Sequence, residues 1–264
     1  MRVQANWAWA AACAAALCMS SGVAAQDTAV PRAAGYGELA TLPDWSGAWQ
    51  ADWANLFGPD GSRPEPKFTP AAQAEVDAFR AKEKAEGVAQ EAQIHCVPPG
   101  MPAIMRQPYP IEFIYSPGRV TIFAETYSQA RRIYTDRPEL PDDPDLLFNG
   151  NSIGHWEGDV LTVETIGFSD HTSIVPGLPH REGTVIKERI WLESPDRMMI
   201  ETTITNPDLF TEPFVSTQPY DRHKDWDIRE YVCAENNRLV EGEGGANVDF
   251  DLDEEDDPFG APEE

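Results

Sequence analysis

A long series of short β-like segments fills most of the chain after residue 110 and constrains the fold more than any other feature. The segments alternate polar and apolar side chains or are rich in β-branched and aromatic residues, and tight turns such as Pro117-Gly118 separate neighbours. The predicted strands are Ile111–Ser116, Arg119–Glu125, Arg131–Thr135, Ser152–Trp156, Val160–Ile166, Thr184–Glu193, Arg197–Thr205, Phe214–Tyr220 and Trp226–Val232. Consecutive strands with short hairpins predict a mainly β protein, an antiparallel up-and-down β-barrel of the lipocalin-like kind, because closure removes exposed sheet edges. A β-sandwich is the alternative architecture.

One segment predicts a helix of substantial length. Thr69 suits the N-cap, Pro70 suits the first helical position, and the alanine-rich run ends before Gly87. The sequence therefore predicts a peripheral N-terminal helix over about residues 70–86. Its apolar side is narrow, so we expect it to pack on the surface of the barrel.

The composition divides the chain into four parts. Residues 1–25 resemble a signal peptide, residues 26–43 a flexible lead-in, and residues 44–240 a single β-barrel domain. Residues 241–264 are rich in glycine and acidic residues and poor in apolar ones, which predicts a disordered acidic tail.

The N-terminus has the organisation of a secretory signal peptide. Arg2 gives a short basic start, an apolar run over Trp7–Leu17 follows, and the small residues Val23-Ala24-Ala25 suit cleavage after Ala25. These features predict a periplasmic or secreted protein. The later sequence holds no apolar run long enough for a transmembrane helix, so we expect no membrane span after cleavage.

The cysteines outside the signal peptide are Cys96 and Cys233. An oxidising compartment favours a disulfide between them. Two separate buried thiols are the alternative.

The formal net charge of −25 limits the partners that the chain can have. A field of this sign repels nucleic acids and anionic lipid surfaces, whereas it permits a small-molecule ligand or substrate. The sequence also holds no nucleophile-elbow, phosphate-loop or dinucleotide motif, and we expect no cofactor.

A carboxylate interrupts an aliphatic row on the predicted strand Thr184–Glu193. Glu188 shares a face with Ile186 and Ile190, and a carboxylate in such a row must be paired, protonated or exposed at a site. Arg131 and its neighbour Arg132 supply guanidinium groups on another strand. Two interpretations follow: a structural Glu–Arg pair inside the barrel, or a catalytic Glu188 with Arg131 or Arg132 as an electrostatic clamp.

Two loop residues could form an acid–base couple. His180 precedes the same strand and Asp170 lies ten residues earlier, so a hairpin could bring them together at the barrel mouth. A carboxylate would then fix the imidazole tautomer, as acid–base catalysis requires. The alternative is a solvated loop histidine.

Aromatic residues near the strand ends are candidates for the wall of a ligand cavity. The predicted ligand-binding residues are the aromatic Tyr134, Trp156 and Phe168, together with Arg132. Small barrels commonly hold one ligand in their interior.

We expect no metal site, because the five histidines lack the spacing of known metal motifs. His95 with Met101 and Met105 could suit copper, but methionines near prolines are more often packing residues.

Several motifs together resemble a family of secreted bacterial proteins without an established activity. The motifs are Cys96-Val-Pro-Pro-Gly-Met-Pro102, Pro108-Tyr-Pro-Ile-Glu112, Arg131-Arg-Ile-Tyr134, Gly154-His-Trp-Glu-Gly-Asp159, Leu161-Thr-Val-Glu-Thr165, Pro179-His180, Glu188-Arg189 and Glu230-Tyr-Val-Cys-Ala-Glu-Asn-Asn237. The resemblance covers roughly residues 95–237. It implies a secreted protein with both cysteines paired, and it includes Asp170, His180 and Glu188. Its pattern favours arginine at the position of His155, and it implies no substrate.

The sequence thus supports three functions of different classes. The first is a periplasmic or secreted barrel that binds a small, largely apolar or aromatic molecule in its cavity. The second is a cofactor-independent isomerase, lyase or hydrolase that uses His180, Asp170 and Glu188 in the same cavity. The third is an interaction protein of the cell envelope that acts through its acidic tail.

Overall fold

The computed structural model describes residues 35–52, 64–86, 96–233, 238–242 and 245–249. The helices are α1 Tyr36–Leu39 and α2 Pro70–Glu86, and 3-10 turns lie at Ala103–Arg106 and Thr126–Ser128. The strands, in chain order, are β1 Ala48–Ala51, β2 Ile111–Ser116, β3 Arg119–Ala124, β4 Gln129–Tyr134, β5 Asn151–Glu157, β6 Val160–Ile166, β7 Ser173–Val175, β8 Leu178–Pro179, β9 Val185–Ser194, β10 Arg197–Thr205, β11 Phe214–His223, β12 Arg238–Gly242 and β13 Gly245–Asp249.

Nine of these strands close into a β-barrel, as the strand series predicted. The order around the barrel is β1-β11-β10-β9-β6-β5-β4-β3-β2, and β2 pairs with β1 to complete the ring. A sandwich is excluded because the hydrogen bonding runs continuously around the ring.

One pair departs from the antiparallel arrangement that the sequence predicted. Strands β4 and β5 pair in parallel, through Ile133 with Ser152 and Tyr134 with Ile153, whereas the other neighbours in the ring are antiparallel. A closed ring with an odd number of strands cannot alternate in direction throughout, so at least one parallel pair is required. A parallel pair needs a crossover connection, which residues 135–150 provide.

Aliphatic side chains from facing strands fill the barrel interior. Leu161, Ile186 and Ile190 have 0% exposed surface, and Val163 has 3%. Burial alternates along β6 with the period of two expected for β structure, so Leu161 and Val163 face the interior. If a void of ligand size lay beside these side chains, they would have measurable accessible surface. The part of the interior around them is therefore packed.

The predicted helix has the predicted bounds. The Thr69 hydroxyl accepts a hydrogen bond from the Ala72 amide at 3.3 Å, as an N-cap should. The narrow apolar side buries Ala72 and Val76, and the Phe79 side chain lies against Gly177. Gly177 has a φ of +81° and no space for a Cβ, so the helix approaches the backbone closely at this point.

Cys96 and Cys233 form a disulfide, which confirms the predicted pairing. Their Cα atoms are 5.7 Å apart, within the usual range for a disulfide, and the bridge joins positions 137 residues apart in sequence. The predicted signal peptide, residues 1–25, lies outside the described residues. Within the described ranges, neither helix combines the length and apolarity needed to cross a membrane.

Two segments differ from their prediction. Residues 226–232 are irregular rather than a strand, and β11 instead continues to His223, whose ring stacks on Trp226 with centroids 3.7 Å apart. In this segment the Arg229 amide donates to the carboxylate of the buried Glu125 at 2.7 Å rather than to the backbone of a neighbouring strand.

The predicted disordered tail also begins differently. Strand β13, within the stretch predicted to be disordered from 241, pairs antiparallel with β12, and both strands contain β-branched valine. Residues 250–264 lie outside the described residues.

Candidate functional site

Arg131 and Glu188 form an ion pair inside the barrel. Arg131 Nη1 donates to Glu188 Oε1 at 2.9 Å, and Nη2 donates to Glu188 Oε2. Nη2 also donates to the Thr165 hydroxyl at 3.0 Å, and Thr165 is hydrogen-bonded to Ser152 at 2.8 Å. Strands β4, β5, β6 and β9 therefore converge on one polar network within an apolar core.

This network supports the structural interpretation of the carboxylate on β9. Arg131 is 3% exposed and Glu188 is 2% exposed, so neither charged group contacts solvent. Two parallel hydrogen bonds join the two groups, as a buried ion pair requires, while Arg131 Nε has no hydrogen-bond partner among the described residues. A catalytic role for either residue stays a prediction.

His180 is buried beside Phe168, away from its expected partner. Its ring stacks on Phe168 with centroids 4.3 Å apart, and its Nε2 donates to the Met101 carbonyl at 2.8 Å. Its Nδ1 is buried without a hydrogen-bond partner among the described residues, and Asp170 is exposed. The couple predicted at the barrel mouth is therefore not formed in this structure, because the imidazole is held by a backbone carbonyl.

Burial lowers the pKa of His180 to about 4, although its hydrogen bond to Met101 acts in the opposite direction. The unfolded chain, with a histidine pKa near 6.5, binds a proton that the folded protein does not. Stability should therefore be lost as pH falls from about 6.5 toward 4, by about 3 kcal/mol from this residue. Urea unfolding at pH values from 7 down to 4 measures the effect.

The matched controls for this pH dependence are His180→Gln and His155→Gln. Glutamine retains an N–H donor for Met101 but does not titrate, so His180→Gln should flatten the acid loss of stability. His155 is exposed, and its substitution should leave the loss unchanged. Equal pH dependence in wild type and His180→Gln would contradict this account of the buried imidazole.

The predicted ligand-binding residues do not share one cavity. Trp156 packs against Trp45 with ring centroids 5.0 Å apart, and Phe168 is covered by His180. Tyr134 and Arg132 face outward from β4 and do line a common cavity. Two of the four residues therefore line one cavity, which lies on the outer face of the barrel wall, and ligand binding by any of the four stays a prediction.

A cavity of about 570 Å³ lies beside the barrel, next to α2. We call it the helix cavity. It is lined by Pro64, Glu65, Pro66, Phe68, Gln73, Arg80, Pro102, Ala103, Arg106, Gln107, Ile174, Val175, Pro176, Phe214, Ser216, Thr217 and Gln218. Because these residues come from separate segments, no sequence motif could have revealed the cavity.

A smaller cavity of about 310 Å³ lies on the outer side of β4 and β5, under the crossover connection. We call it the loop cavity. Its lining residues are Gln129, Ala130, Arg132, Tyr134, Arg137, Leu140, Pro141, Leu147, Phe148, Asn149, Gly150, Asn151, Ser152 and Ile153.

The methionines considered for copper are core residues. Met101 is 1% exposed and Met105 is 6% exposed, and the Met105 carbonyl accepts hydrogen bonds from the Tyr220 hydroxyl and from Gln218. His95 lies outside the described residues. Among the residues that the structure describes, no three His, Cys, Asp or Glu side chains cluster as metal ligands would.

Known proteins that match the chain are found among solved structures. No family model and no curated protein matches the chain. Among solved structures, the chain is similar to one described as "Human cRBP IV", with a TM-score of 0.32 and 14% sequence identity over 68% of this chain and 98% of that chain. The assignment of a closed barrel rests on the strand pairing itself, and the resemblance to a secreted bacterial family stays a prediction.

Proposed function

We propose that the protein is a periplasmic or secreted binder of a small, largely apolar or aromatic molecule, and that this ligand occupies the helix cavity. The observation that carries the proposal is the cavity of about 570 Å³. This volume lies within the range of roughly 300–1,000 Å³ that small-molecule sites occupy.

The chemistry of the lining suits a largely apolar ligand. Phe68, Phe214, Ile174 and Val175 supply aromatic and aliphatic surface, together with several prolines. About half of the lining residues are polar or charged, and these would orient a ligand that carries a polar group on its apolar body.

The polar groups of the lining are held in place before a ligand binds. Arg106 donates to the Ser216 hydroxyl at 2.9 Å, and the Gln107 amide donates to the Ala103 carbonyl at 2.9 Å. Groups that are already ordered lose less conformational entropy on binding.

The outer wall of the cavity is anchored to the barrel at the start of α2. Phe68 stacks on Phe210 with ring centroids 5.6 Å apart, and the Thr69 amide donates to the Leu209 carbonyl at 2.9 Å. Farther along the helix, Arg181 forms an ion pair of 2.6 Å with Glu75. These contacts favour a preformed site over one that must assemble around its ligand.

The barrel interior is a poorer candidate. Its core side chains have almost no accessible surface, and the Arg131–Glu188 pair occupies part of it. A ligand there would have to displace packed aliphatic side chains, at a cost of several kcal/mol.

The disulfide supports the proposed compartment. Structural disulfides persist in secreted and periplasmic proteins and are rare in the reducing cytosol. The bridge between Cys96 and Cys233 thus agrees with the signal peptide that the first 25 residues predict.

Blocking the helix cavity should weaken binding of an apolar probe. We expect the neutral aromatic dye N-phenyl-1-naphthylamine to gain fluorescence with the folded protein, and Ala103→Trp or Thr217→Trp to weaken its affinity by about tenfold or more. Both residues line the cavity, and Thr217 is exposed on a barrel strand, so a larger side chain there leaves the core intact. A fluorescence titration at constant protein concentration measures the affinity.

The matched control is Ala78→Trp, which adds the same side chain to an exposed position of α2 outside the lining. It should bind the dye like the wild type. If both blocking variants also bind like the wild type while their melting temperatures are unchanged, the helix cavity is not the binding site.

A further inference from the structure

The loop cavity exists because of the parallel strand pair. The crossover from β4 to β5 returns along the outside of the barrel, where the Leu147 amide donates to the Gly167 carbonyl at 3.0 Å. Asn151 fixes the same connection by donating from its side chain to the Asp145 carbonyl at 2.7 Å. These contacts hold the connection over the outer face of β4 and form the roof of the cavity.

The charge of the lining is opposite to that of the protein as a whole. The chain carries a net charge of −25, yet the loop cavity is lined by Arg132 and Arg137 and by no aspartate or glutamate. A protein of this net charge repels anions over most of its surface. Two guanidinium groups in one cavity create a local positive potential, where an anion can bind.

The two arginines reach the cavity from different segments. Arg132 and Tyr134 are two residues apart on β4 and share its outer face. Arg137, from the crossover, places its guanidinium carbon 3.4 Å from the centre of the Tyr134 ring. This stacking orients the guanidinium and leaves its N–H groups available at the edge of the plane.

The guanidinium of Arg132 is not paired with any described residue. Among the described residues it makes no hydrogen bond, ion pair or ring contact, and its side chain is exposed. An arginine in a concave wall without a partner is suited to bind a carboxylate, which accepts two parallel hydrogen bonds from a guanidinium.

The other lining residues indicate the size and polarity of the part of the ligand that carries the negative group. Leu140, Leu147, Phe148 and Ile153 supply apolar surface, and the volume of about 310 Å³ is at the lower end of the range for small-molecule sites. A phosphate or another compact ion would leave this apolar part of the cavity without contacts.

From these observations we infer that the loop cavity binds a small carboxylate with a compact apolar body, held by Arg132 and Arg137. This site is separate from the helix cavity and does not depend on the function proposed there.

The test uses benzoate as the probe and benzamide as its neutral isostere, with the full-length protein bearing ¹³C-labelled methyl groups. We expect the methyl resonances of Leu140, Leu147 and Ile153 to shift on addition of benzoate, with a dissociation constant on the order of 1 mM. Benzamide should bind about tenfold more weakly, because it lacks the negative charge.

The variants are Arg132→Gln and Arg137→Gln, and Arg189→Gln is the control. Each of the first two should weaken benzoate binding about tenfold without changing the melting temperature. Arg189 is exposed on β9 outside the loop cavity, so its substitution should have no effect on the affinity. Equal affinity for benzamide, unchanged binding in both variants, or no methyl shift at about 10 mM benzoate would overturn the inference.

Discussion

Replacing Arg131 with methionine should lower the free energy of unfolding by about 3–5 kcal/mol, because it leaves the Glu188 carboxylate unpaired inside the barrel. Both side chains are almost fully buried, and the guanidinium supplies two hydrogen bonds to that carboxylate. Urea unfolding at pH 7, followed by tryptophan fluorescence, measures the loss.

The double variant Arg131→Met/Glu188→Leu tests whether the unpaired charge is the cause. It should be more stable than Arg131→Met alone, since apolar residues can replace a buried pair at little cost. Arg132→Met is the matched control: Arg132 is the exposed neighbour on the same strand, and its substitution should change stability by about 0.5 kcal/mol or less. The structural account of the pair is wrong if Arg131→Met is as stable as the control.

Removal of the disulfide should have the second large effect. Replacing both Cys96 and Cys233 with alanine opens a bridge between positions 137 residues apart and should lower the free energy of unfolding by about 2–5 kcal/mol. The bridge restricts the unfolded chain, and this restriction is larger for a longer closed loop. Urea unfolding without reductant compares the variant with the wild type.

The control for this result is the reductant dithiothreitol. It should shift the unfolding midpoint of the wild type toward that of the double variant and leave the variant itself unchanged. Thiol titration verifies that the wild type is fully reduced. If its unfolding midpoint is then the same as that of the oxidised wild type, the disulfide does not stabilise the fold.

The barrel could be predicted from the sequence because its signals are local. Each signal can be recognised within a few residues of the chain. Examples are the alternation in β6, the turn at Pro117-Gly118 and the N-cap at Thr69. The inward face of β9 could likewise be read from its period of two, which placed Glu188 in the core.

The pairing of Glu188 with Arg131 rather than Arg132 depended on which face of β4 turns inward. The sequence did not determine which face turns inward, because the residues that flank Arg131 and Arg132 on β4 suit the inner or the outer face of the barrel. The structure places Arg131 inside and Arg132 in the loop cavity, so adjacent residues have different environments.

The sites could not be predicted because they are assembled from distant segments. The odd number of strands in the ring requires a parallel pair, and its place between β4 and β5 depends on the crossover of residues 135–150, which no single segment encodes. His180 is held by the Met101 carbonyl, and a backbone acceptor leaves no signature in the side-chain sequence.

The central claim is that the barrel interior is a packed core and that ligand binding takes place outside it. Titration of the methyl-labelled protein with the neutral dye N-phenyl-1-naphthylamine, followed by ¹H–¹³C NMR, tests this claim most directly. We expect the methyl resonances of Ile174 and Val175, in the helix cavity, to shift, while those of Leu161, Ile186 and Ile190, in the barrel core, stay unchanged. Shifts at the core residues with none at Ile174 and Val175 would contradict it and place the ligand inside the barrel.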